Sequence, residues 1–262
     1  MSIAKLFDSI AGSYDRFNHL LSLNIDVLWR RSALRHLPQA THPLDNGRCP
    51  KDGGVESDSS IHSEKTVRTR RGVSTDIVAA LDVACGTGDF SIELIKSGTA
   101  SHVTGVDIST GMLEKGKEKV KAKGYEAQID MQIADCAALP FPDQSFDLVT
   151  CAFGVRNFEH RAESLREMHR VLKDGGRLLI LEFSQPKHFP VKQLYRFYFK
   201  HVMPNVGAWL SGNKAAYNYF YDSVYRFPQG ADFMHELQDA GFSCTTQRRM
   251  TFGIATAYYS FR

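Results

Sequence analysis

The sequence lacks the usual features of a membrane-spanning or nucleic-acid-binding protein. No apolar run in its 262 residues approaches the roughly 18 residues that a transmembrane helix needs. The 32 Lys and Arg residues nearly balance the 29 Asp and Glu residues, so the net charge is only +3. This balance does not favour a nucleic acid as a partner. The sequence also shows neither a signal peptide nor an organelle transit segment, and we expect a cytoplasmic location.

The motifs of several common reaction types are also missing. The sequence contains no GxxxxGKS/T phosphate-binding loop and no GxSxG nucleophile motif. Its five cysteines are odd in number and show neither CxxC nor Cys/His spacing. These absences argue against phosphoryl transfer, serine-hydrolase chemistry and a bound metal. They favour a reducing compartment.

Strand and helix patterns alternate along the chain after Ser74. Alternation of this kind is typical of parallel strands joined by helical crossovers, and it predicts a doubly wound α/β fold. The last two predicted strands meet across Phe252 and Gly253, with too few residues between them for a helix, so we expect them to be antiparallel. The predicted strands are 77–83, 102–107, 128–134, 146–152, 176–183, 243–250 and 254–261; the predicted helices are 88–97, 109–123, 160–173 and 230–240, with stops at Gly124, Gly175 and Gly241.

The composition divides this single predicted domain, residues 1–262, into five parts. The segment after the first helical pattern is poor in apolar residues and predicts a flexible insertion, whereas a later segment is dense in aromatic residues and predicts a cap. The parts are an N-terminal helical cap (1–37), the insertion (38–74), a cofactor-binding core (75–183), the aromatic cap (184–228) and a C-terminal helix with hairpin (229–262).

The segment LDVACGTGDF, residues 81–90, joins an apolar strand to a glycine turn. Gly86 and Gly88 leave room for a ligand to approach the backbone, where side chains would block it. The third glycine of GxGxxG is missing, and no Lys or Arg lies in the turn to meet a pyrophosphate. Asp107 ends the next apolar run, where an acid can bind ribose hydroxyls; a helix-capping role is the alternative.

A second pair of residues ends the third predicted strand. Asp135 can accept a hydrogen bond from an adenine amino group, and the small thiol of Cys136 can pack on the ring. The alternative is an acidic turn residue beside a buried thiol. Because the carboxyl ends of parallel strands meet at one edge of a sheet, Asp107 and this pair outline a crevice for an adenosine without phosphates.

Several stretches of this sequence carry a resemblance to a known family. They are LDVACGTGDF, VTGVDIS, residues 134–157, VLKDGGRLLILEFSQP and the N-terminal FDSIAGSYDRFNHLLSLNIDVLWRR. Together they resemble the S-adenosylmethionine-dependent C-methyltransferases of ubiquinone and menaquinone biosynthesis, over nearly everything except the insertion. The resemblance implies a class I, Rossmann-like methyltransferase fold with a seven-stranded sheet and S-adenosylmethionine as the cofactor.

The resemblance also implies which residues form the site. The cofactor-contacting positions correspond to Thr87, Asp107, Asp135 and Cys136, beside the glycines of the turn. The sequence departs from many relatives at Cys85, where they have Gly, and at Ala152, where they have Ser.

The family's reaction moves a methyl group from the sulfonium to a ring carbon of a prenylated quinol. That ring carbon becomes nucleophilic when a hydroxyl proton is lost, so the site needs a group that stabilises a phenolate. Arg156 is the predicted catalytic residue because it stays protonated, with a salt bridge to Asp or Glu at the domain surface as the alternative. Asn157 is predicted to hold the loop or a quinol oxygen. Candidate proton acceptors are His201, Tyr195, His160 and Asp15, and the sequence does not choose among them.

The resemblance and the missing targeting segment favour a bacterial enzyme that converts a demethylmenaquinol to menaquinol. The alternatives are a polyprenyl benzoquinol, an unrelated small molecule, or a non-catalytic adenosine-binding module. The aromatic cap predicts a tunnel for the prenyl tail and peripheral contact with the inner face of the cell membrane through its basic residues; an ordinary amphipathic cap is the alternative. A homo-oligomer is possible, and the sequence does not decide the oligomeric state.

Overall fold

The computed structural model describes residues 5, 7, 8, 11, 24–38, 78–198 and 214–262. The predicted insertion, except Pro38, lies outside the described residues, as do most of the N-terminal cap and the middle of the aromatic cap. Asp15 and His201, two of the proton-acceptor candidates, are also outside them.

Helices and strands alternate through the described core, as the sequence predicts. The helices are α1 (Ile25–Arg35), α2 (Asp89–Lys96), α3 (Thr110–Ala122), α4 (Arg161–Val171), α5 (Val191–Phe197), α6 (Lys214–Arg226) and α7 (Ala231–Asp239). The strands are β1 (Ala79–Val83), β2 (His102–Asp107), β3 (Ile129–Ile133), β4 (Phe146–Ala152), β5 (Leu172–Phe183), β6 (Ser243–Met250) and β7 (Ala255–Phe261). Short 3₁₀ turns cover Val155–Asn157 and Thr251–Gly253.

The seven strands form one sheet in the order β3-β2-β1-β4-β5-β7-β6. Strands β1 to β5 pair in parallel, whereas β7 is antiparallel to both β5 and β6. The predicted doubly wound sheet and its antiparallel final pair are therefore confirmed. The strand order reverses between β1 and β4, and the carboxyl ends of these strands open a crevice there.

Both faces of the sheet are buried, because side chains alternate between two apolar clusters. Leu179 and Leu181 of β5 pack in the cluster that contains Trp29 of α1. Leu178 and Ile180 pack in the opposite cluster, which contains Phe233 of α7. A period of two residues is what a strand with helices on both sides requires. The apolar run 178–181 of β5 follows from this arrangement.

The start of β5 differs from the prediction. Helix α4 ends at Val171 and β5 begins at once at Leu172, so Gly175 does not stop the helix and the predicted strand start at residue 176 is too late. Phe146 of β4 pairs with Leu172 and Leu148 pairs with Arg177, and the extra residues of β5 bulge out between these pairs. Gly175 lies in this irregularity with φ of 73°. A glycine with positive φ therefore marks a bulge here and not a helix end.

The other two predicted stops are confirmed. Gly124 and Gly241 follow the ends of α3 and α7 with φ of 71° and 103°. Both take the left-handed backbone that glycine adopts without steric cost.

Contacts with the final hairpin fix α1 beside the crevice. Trp29 Nε1 donates to Thr251 Oγ1 at 2.7 Å, and the Tyr259 hydroxyl donates to the carbonyl oxygen of Ala33 at 3.1 Å. The Trp29 ring also packs edge-on against Phe183, with 5.9 Å between the ring centroids. These contacts place the next residue of α1, Arg30, at the glycine turn.

Two further observations bear on the predictions from composition. Within the described part of the chain, no helix is long and apolar enough to cross a membrane, and no cluster of His, Cys, Asp and Glu could hold a metal ion. Cys85, Cys136 and Cys151 are free thiols, but Cys244 is disulfide-bonded. The odd cysteine count did not predict that bond.

Candidate functional site

A cavity of about 190 Å³ opens at the carboxyl edge of the sheet. It brings together several residues that the sequence predicts for the site, from the ends of four different elements. Gly86, Asp107, Asp135, Cys136 and Asn157 all line it. Gly88, Thr87 and Arg156 are not among its lining residues. The other lining residues include Phe7, Ile108, Met112, Ala152, Phe153, Phe158 and His160.

The glycine turn between β1 and α2 has the compact backbone that the sequence predicts. Ala84, Gly86 and Gly88 have φ of 54°, 55° and 79°. A Cβ on Gly88 would lie 3.4 Å from Met131 Cε, in a conformation that already disfavours side chains. Glycine at position 88 therefore serves the positive φ of the turn, whereas Gly86 lines the cavity.

The departure at Cys85 is accommodated by a glycine on the neighbouring strand. A Cβ on Gly105 would come within 3.0 Å of Cys85 Sγ, so the bare backbone of β2 makes room for the thiol. Cys85 packs in the apolar core and does not line this cavity, although it lines a smaller one on the other side of the turn, and burial raises the pKa of its thiol well above the usual value. The substitution of Cys for Gly therefore leaves the larger cavity unobstructed.

Asp107 fixes the glycine turn to the end of β2. Its Oδ2 accepts a hydrogen bond from Gly86 N at 2.8 Å, and its Oδ1 accepts one from Ser109 N at 2.8 Å. Burial raises the pKa of this carboxyl, and the backbone N–H donors act in the opposite direction. The N-cap of α3 is Ser109, whose Oγ accepts from Met112 N at 3.2 Å. Ser109 therefore caps α3, and Asp107 faces the cavity.

Asp8 is a site residue that the sequence reasoning missed. Its Oδ1 accepts hydrogen bonds from Ser109 Oγ at 2.6 Å and from Gly111 N at 3.1 Å. Its charge also contributes to the raised pKa of Asp107, and the preceding Phe7 lines the cavity. The only available signal was the N-terminal stretch that belongs to the resemblance, because nothing local connects it with a helix about a hundred residues later.

Asp135 and Cys136 follow β3 at the far end of the cavity. Asp135 is exposed, and its Oδ1 accepts from Ala137 N at 2.9 Å. Cys136 Sγ lies 3.3 Å from Ser164 Oγ, and burial raises the pKa of its thiol to about 11. Cys136 is therefore a neutral, half-buried surface against which a ring can pack.

A second cavity, of about 40 Å³, adjoins the first at the glycine turn. Its lining is strongly charged, with Arg30, Asp82 and Asp89 beside the predicted site residue Thr87. Thr87 Oγ1 accepts from Lys119 Nζ at 2.9 Å. Both cavities are lined by Ala84, Gly86, Ala152 and Phe153, so the turn separates them without closing one from the other. The sequence reasoning did not predict this cavity.

Two charged residues that line the second cavity, Arg30 and Asp82, are buried. Arg30 Nη2 lies 2.7 Å from Asp26 Oδ2 and 3.7 Å from Asp89 Oδ2. Asp82 accepts from Ser91 Oγ at 2.6 Å and from Thr150 Oγ1 at 2.9 Å. Burial raises the pKa of Asp82 to about 6 despite these donors. A group that changes its charge near neutrality therefore lies beside the turn.

Arg156 forms a buried ion pair in the 3₁₀ turn after β4. Its Nη1 donates to Glu182 Oε1 at 2.7 Å and to the carbonyl oxygen of Phe153, and its backbone N–H donates to Glu182 Oε2 at 3.2 Å. The side chains are 5% and 0% exposed, so this is not the surface salt bridge that was the alternative. The guanidinium lies over the Phe183 and Phe220 rings, 5.3 and 5.2 Å from their centroids.

Asn157 connects the first cavity with the aromatic helix α6. Its Oδ1 accepts a hydrogen bond from the Tyr219 hydroxyl at 3.1 Å. Burial raises the pKa of Tyr219, and the nearby charge of Arg156 acts in the opposite direction. Among the candidate proton acceptors, His160 lines the cavity, whereas Tyr195 is buried on α5.

Comparisons with known proteins identify the relatives of this chain. The pattern of the ubiE/COQ5 methyltransferase family matches residues 59–262. The chain is 39% identical over 256 residues to "Demethylmenaquinone methyltransferase" of Bacteroides fragilis, which covers 98% of this chain and 90% of that protein. It is 40% identical over 257 residues to "Ubiquinone/menaquinone biosynthesis C-methyltransferase UbiE" of Geotalea daltonii, which covers 98% and 94%.

A solved structure supports the fold separately. A SAM-dependent methyltransferase from Thermotoga maritima superposes with a TM-score of 0.62, covers 98% of each chain and is 15% identical. At this identity the likeness concerns the fold alone.

Proposed function

The chain belongs to the ubiE/COQ5 methyltransferase family, and on that premise we propose that it methylates a ring carbon of a demethylmenaquinol. It is an S-adenosylmethionine-dependent methyltransferase. The choice of acceptor is carried by the relative from Bacteroides fragilis, whose name specifies demethylmenaquinone and which matches 98% of this chain. The polyprenyl benzoquinol remains the second candidate, because the relative from Geotalea daltonii is named for both quinones.

The first cavity holds the adenosine part of the cofactor in this proposal. Asp107 accepts hydrogen bonds from the ribose hydroxyls, since each carboxylate oxygen can accept more than the one backbone bond described above. Asp135 accepts from the adenine amino group, and Cys136 packs on the ring. Thr87 and the glycines of the turn lie where the cofactor continues towards its sulfonium.

The chemical step forms one carbon–carbon bond and breaks one carbon–sulfur bond. The ring carbon of the quinol attacks the sulfonium methyl group, the C–S electron pair stays on sulfur, and S-adenosylhomocysteine leaves. The ring then loses the proton of the attacked carbon and regains its aromaticity. Loss of a quinol hydroxyl proton beforehand makes that carbon nucleophilic. Alignment of the three atoms in one pocket can contribute roughly 7 to 11 kcal/mol at best.

Arg156 stabilises the phenolate in this proposal. One observation supports its orientation: Arg156 Nε is buried and has no hydrogen-bond partner among the described residues. An unpaired buried donor costs free energy, and a phenolate oxygen or a bound water would satisfy it. Glu182 then acts as a positioning residue that fixes the guanidinium through Nη1. Asn157 holds a quinol oxygen, and Tyr219 orients the Asn157 amide. His160 is the proton acceptor best placed by its position in the cavity wall.

Quinone analysis of cells tests the acceptor. Cells that lack this protein should accumulate a quinone precursor one methyl group lighter than menaquinone, as measured by mass spectrometry. Re-expression of the wild-type chain should remove the precursor, and the Arg156→Gln chain should not. Accumulation of a benzoquinone precursor would instead transfer the assignment to ubiquinone synthesis. An unchanged quinone profile would reject both quinols.

We further propose that α5 contacts the membrane in which a prenylated quinol resides. Phe189, Leu194 and Phe197 are 80%, 65% and 60% exposed, an unusual display of large apolar side chains in one segment. Lys187, Lys192 and Arg196 lie among them. We call these six residues the α5 patch; apolar and basic groups together suit insertion among anionic headgroups.

Liposome flotation tests the α5 patch. The wild-type protein should float with anionic vesicles, and a Leu194→Ser/Phe197→Ser variant should float less. A Leu28→Ser variant is the matched control, because Leu28 is equally exposed at 60% but lies on α1. The absence of any wild-type protein in the floating fraction would reject the membrane contact and leave the methyl transfer unaffected.

A further inference from the structure

We propose that the contact between Ala84 and Gly154 sets the distance between the cofactor and the methyl acceptor. Ala84 begins the glycine turn after β1. Gly154 lies in the segment 153–157 after β4, which carries Arg156 and Asn157 and which we call the acceptor turn. Ala84 and Gly154 are positioning residues that act through the turns they belong to. The inference rests on the proposed function for the roles of the two turns, and it applies to either quinol.

The two turns leave the sheet side by side. Strands β1 and β4 pair in parallel, with Asp82 opposite Thr150, and the strand order reverses between them. Each strand is followed at once by a non-glycine residue in the left-handed conformation, Ala84 with φ of 54° and Phe153 with φ of 60°. This conformation costs free energy and persists only where the surrounding structure holds it. Both chains therefore turn directly at their strand ends, and Ala84 and Gly154 both line the first cavity.

Backbone hydrogen bonds fix each turn to a neighbouring strand. Cys85 N donates to a carbonyl oxygen of β2 at 3.0 Å, and Phe153 N donates to a carbonyl oxygen of β5 at 2.7 Å. The acceptor turn is closed by Asn157 N, which donates to the carbonyl oxygen of Gly154 at 2.9 Å. A shift of either turn therefore strains backbone hydrogen bonds that are costly to leave unpaired.

Gly154 approaches Ala84 with no room for a side chain. A Cβ on Gly154 would lie 2.6 Å from Ala84 Cβ and 3.0 Å from Cys151 Sγ. Carbon atoms pack best at about 3.5 to 4.0 Å, so a methyl group at this position has to push the two turns about 1 Å apart. Gly154 has φ of −108° and ψ of −37°, a right-handed conformation that alanine also adopts. The close approach of the two turns, and not the backbone angles, therefore requires glycine here.

The contact connects the cofactor side of the crevice with the acceptor side. Gly86, two residues after Ala84, donates from its backbone N to the proposed ribose ligand Asp107 at 2.8 Å. Arg156, two residues after Gly154, carries the Nε that faces the phenolate in the proposed mechanism. Attack on the methyl carbon requires its alignment with the sulfur and the ring carbon. A misplacement of about 1 Å can cost about 10²-fold in rate.

Single-turnover methyl transfer by Gly154→Ala tests the contact. With S-adenosylmethionine bound and whichever quinol the wild type methylates, the rate constant should fall about 10²-fold. The dissociation constant of S-adenosylmethionine by calorimetry should stay within about threefold of wild type, because Asp107 and Asp135 follow other strands. A rate constant close to that of wild type in the variant would overturn the proposal.

A second substitution relieves the clash and provides a rescue. Ala84→Gly removes the Cβ that the new methyl group meets, and the positive φ at this position suits glycine. The Ala84→Gly/Gly154→Ala double variant should therefore be at least about tenfold faster than Gly154→Ala, with Cys151 as the remaining close contact. A folded double variant that is as slow as the single variant would overturn the proposal.

Gly176→Ala is the matched control for a general loss of stability. A Cβ on Gly176 would lie 2.7 Å from the carbonyl oxygen of Lys173 and 2.9 Å from Leu172 Cδ2, a similar clash in a residue that lines neither cavity. This variant should have a lower melting temperature, as Gly154→Ala should, but it should keep the single-turnover rate constant of wild type. Equal slowing in both variants would overturn the role of the contact.

Crystal structures with bound S-adenosylhomocysteine separate this proposal from the proposed function. The distance between the Cα atoms of residues 84 and 154 should increase by about 1 Å in Gly154→Ala and should return in the double variant. An unchanged distance in Gly154→Ala would overturn the proposal, and no methyl acceptor is needed to observe it. Conversion of neither quinol by the wild type would instead reject the proposed function.

Discussion

The two sides of the crevice use buried charge in different ways. On the cofactor side, Asp107 accepts hydrogen bonds from backbone N–H groups and keeps further acceptor capacity towards the cavity. On the acceptor side, both carboxylate oxygens of Glu182 accept hydrogen bonds, from the Arg156 guanidinium and from the backbone N–H groups of Arg156 and Phe183. The first arrangement presents a charge to a ligand, whereas the second pairs a charge and leaves the buried Nε of Arg156 without a partner among the described residues. In the proposed mechanism, the first arrangement provides affinity for the cofactor, and the second provides a donor that acts during the reaction.

The largest expected effect is a loss of turnover caused by a substitution on the acceptor side alone. Arg156→Gln should lower turnover by about 10² to 10³, the scale for one preorganised charge-stabilising group. Cofactor affinity by calorimetry should stay within about twofold of wild type, because Arg156 lines neither cavity. Wild-type turnover in the variant would contradict the proposed role.

Loss of Arg156 also leaves Glu182 as a lone buried charge, which can cost about 3 to 5 kcal/mol of stability. An Arg156→Gln/Glu182→Gln variant removes both charges and serves as the folded control. It should stay as slow as the single variant. Recovery of turnover in the double variant would mean that unfolding, and not the missing guanidinium, caused the loss.

The next largest expected effect is a loss of cofactor affinity caused by a substitution on the cofactor side. Asp107→Ala removes the proposed acceptor for the ribose and also releases Gly86 N, so S-adenosylmethionine should bind about 10- to 100-fold more weakly. Ser109→Ala is the comparison, because it removes the N-cap of α3 at a cost of about 1 kcal/mol of stability and should change the affinity little. An unchanged dissociation constant in Asp107→Ala would exclude the ribose role.

A third prediction uses the pH dependence of stability to test the buried carboxyl group of Asp82. The pKa of Asp82 is raised from 3.8 to about 6, so its neutral form is favoured in the folded protein. The stability that this adds is fully present below pH 3.8 and is lost as the pH rises through about 6. The stability of Asp82→Asn relative to wild type should therefore rise between pH 5 and 7, by about 1 kcal/mol. Urea unfolding at both pH values measures it; a constant difference would contradict the prediction.

The smallest expected effect comes from the hydrogen bond between Tyr219 and Asn157 on the acceptor side. Tyr219→Phe removes the hydroxyl that donates to Asn157 Oδ1 and keeps the ring. One neutral hydrogen bond is worth about 1 kcal/mol, so kcat/KM for the quinol should fall about fivefold with the cofactor affinity unchanged. Tyr225→Phe on the exposed side of α6 is the control. A similar loss in both variants would show a general effect on the helix.

The same contrast explains what the sequence could predict. The cofactor side depends on local signals, because each polar residue directly follows its own apolar strand and parallel strands end at one edge. Gly86, Asp107 and Asp135 are therefore predictable as neighbours. The doubly wound order and the antiparallel final pair follow from the same alternation and from the short connection at Gly253.

The remaining site residues depend on pairs that are distant in the sequence. Glu182 meets Arg156 across two adjacent strands, Tyr219 meets Asn157 from a separate helix, and Arg30 reaches Asp89 from the N-terminal helix. No local pattern specifies such partners, so the sequence indicated an arginine and an asparagine without their neighbours. The bulge at Gly175 was misjudged for a related reason, since a helix stop and a bulge both require positive φ.

Methyl transfer by the purified protein tests the central claim most directly. S-adenosylmethionine with an isotopically labelled methyl group, a demethylmenaquinol and wild-type protein are incubated together, and the quinones are analysed by mass spectrometry. We predict labelled menaquinol, together with S-adenosylhomocysteine in equal amount, and far less product with a demethylated benzoquinol. Conversion of neither quinol by a protein that binds the cofactor normally would contradict the account.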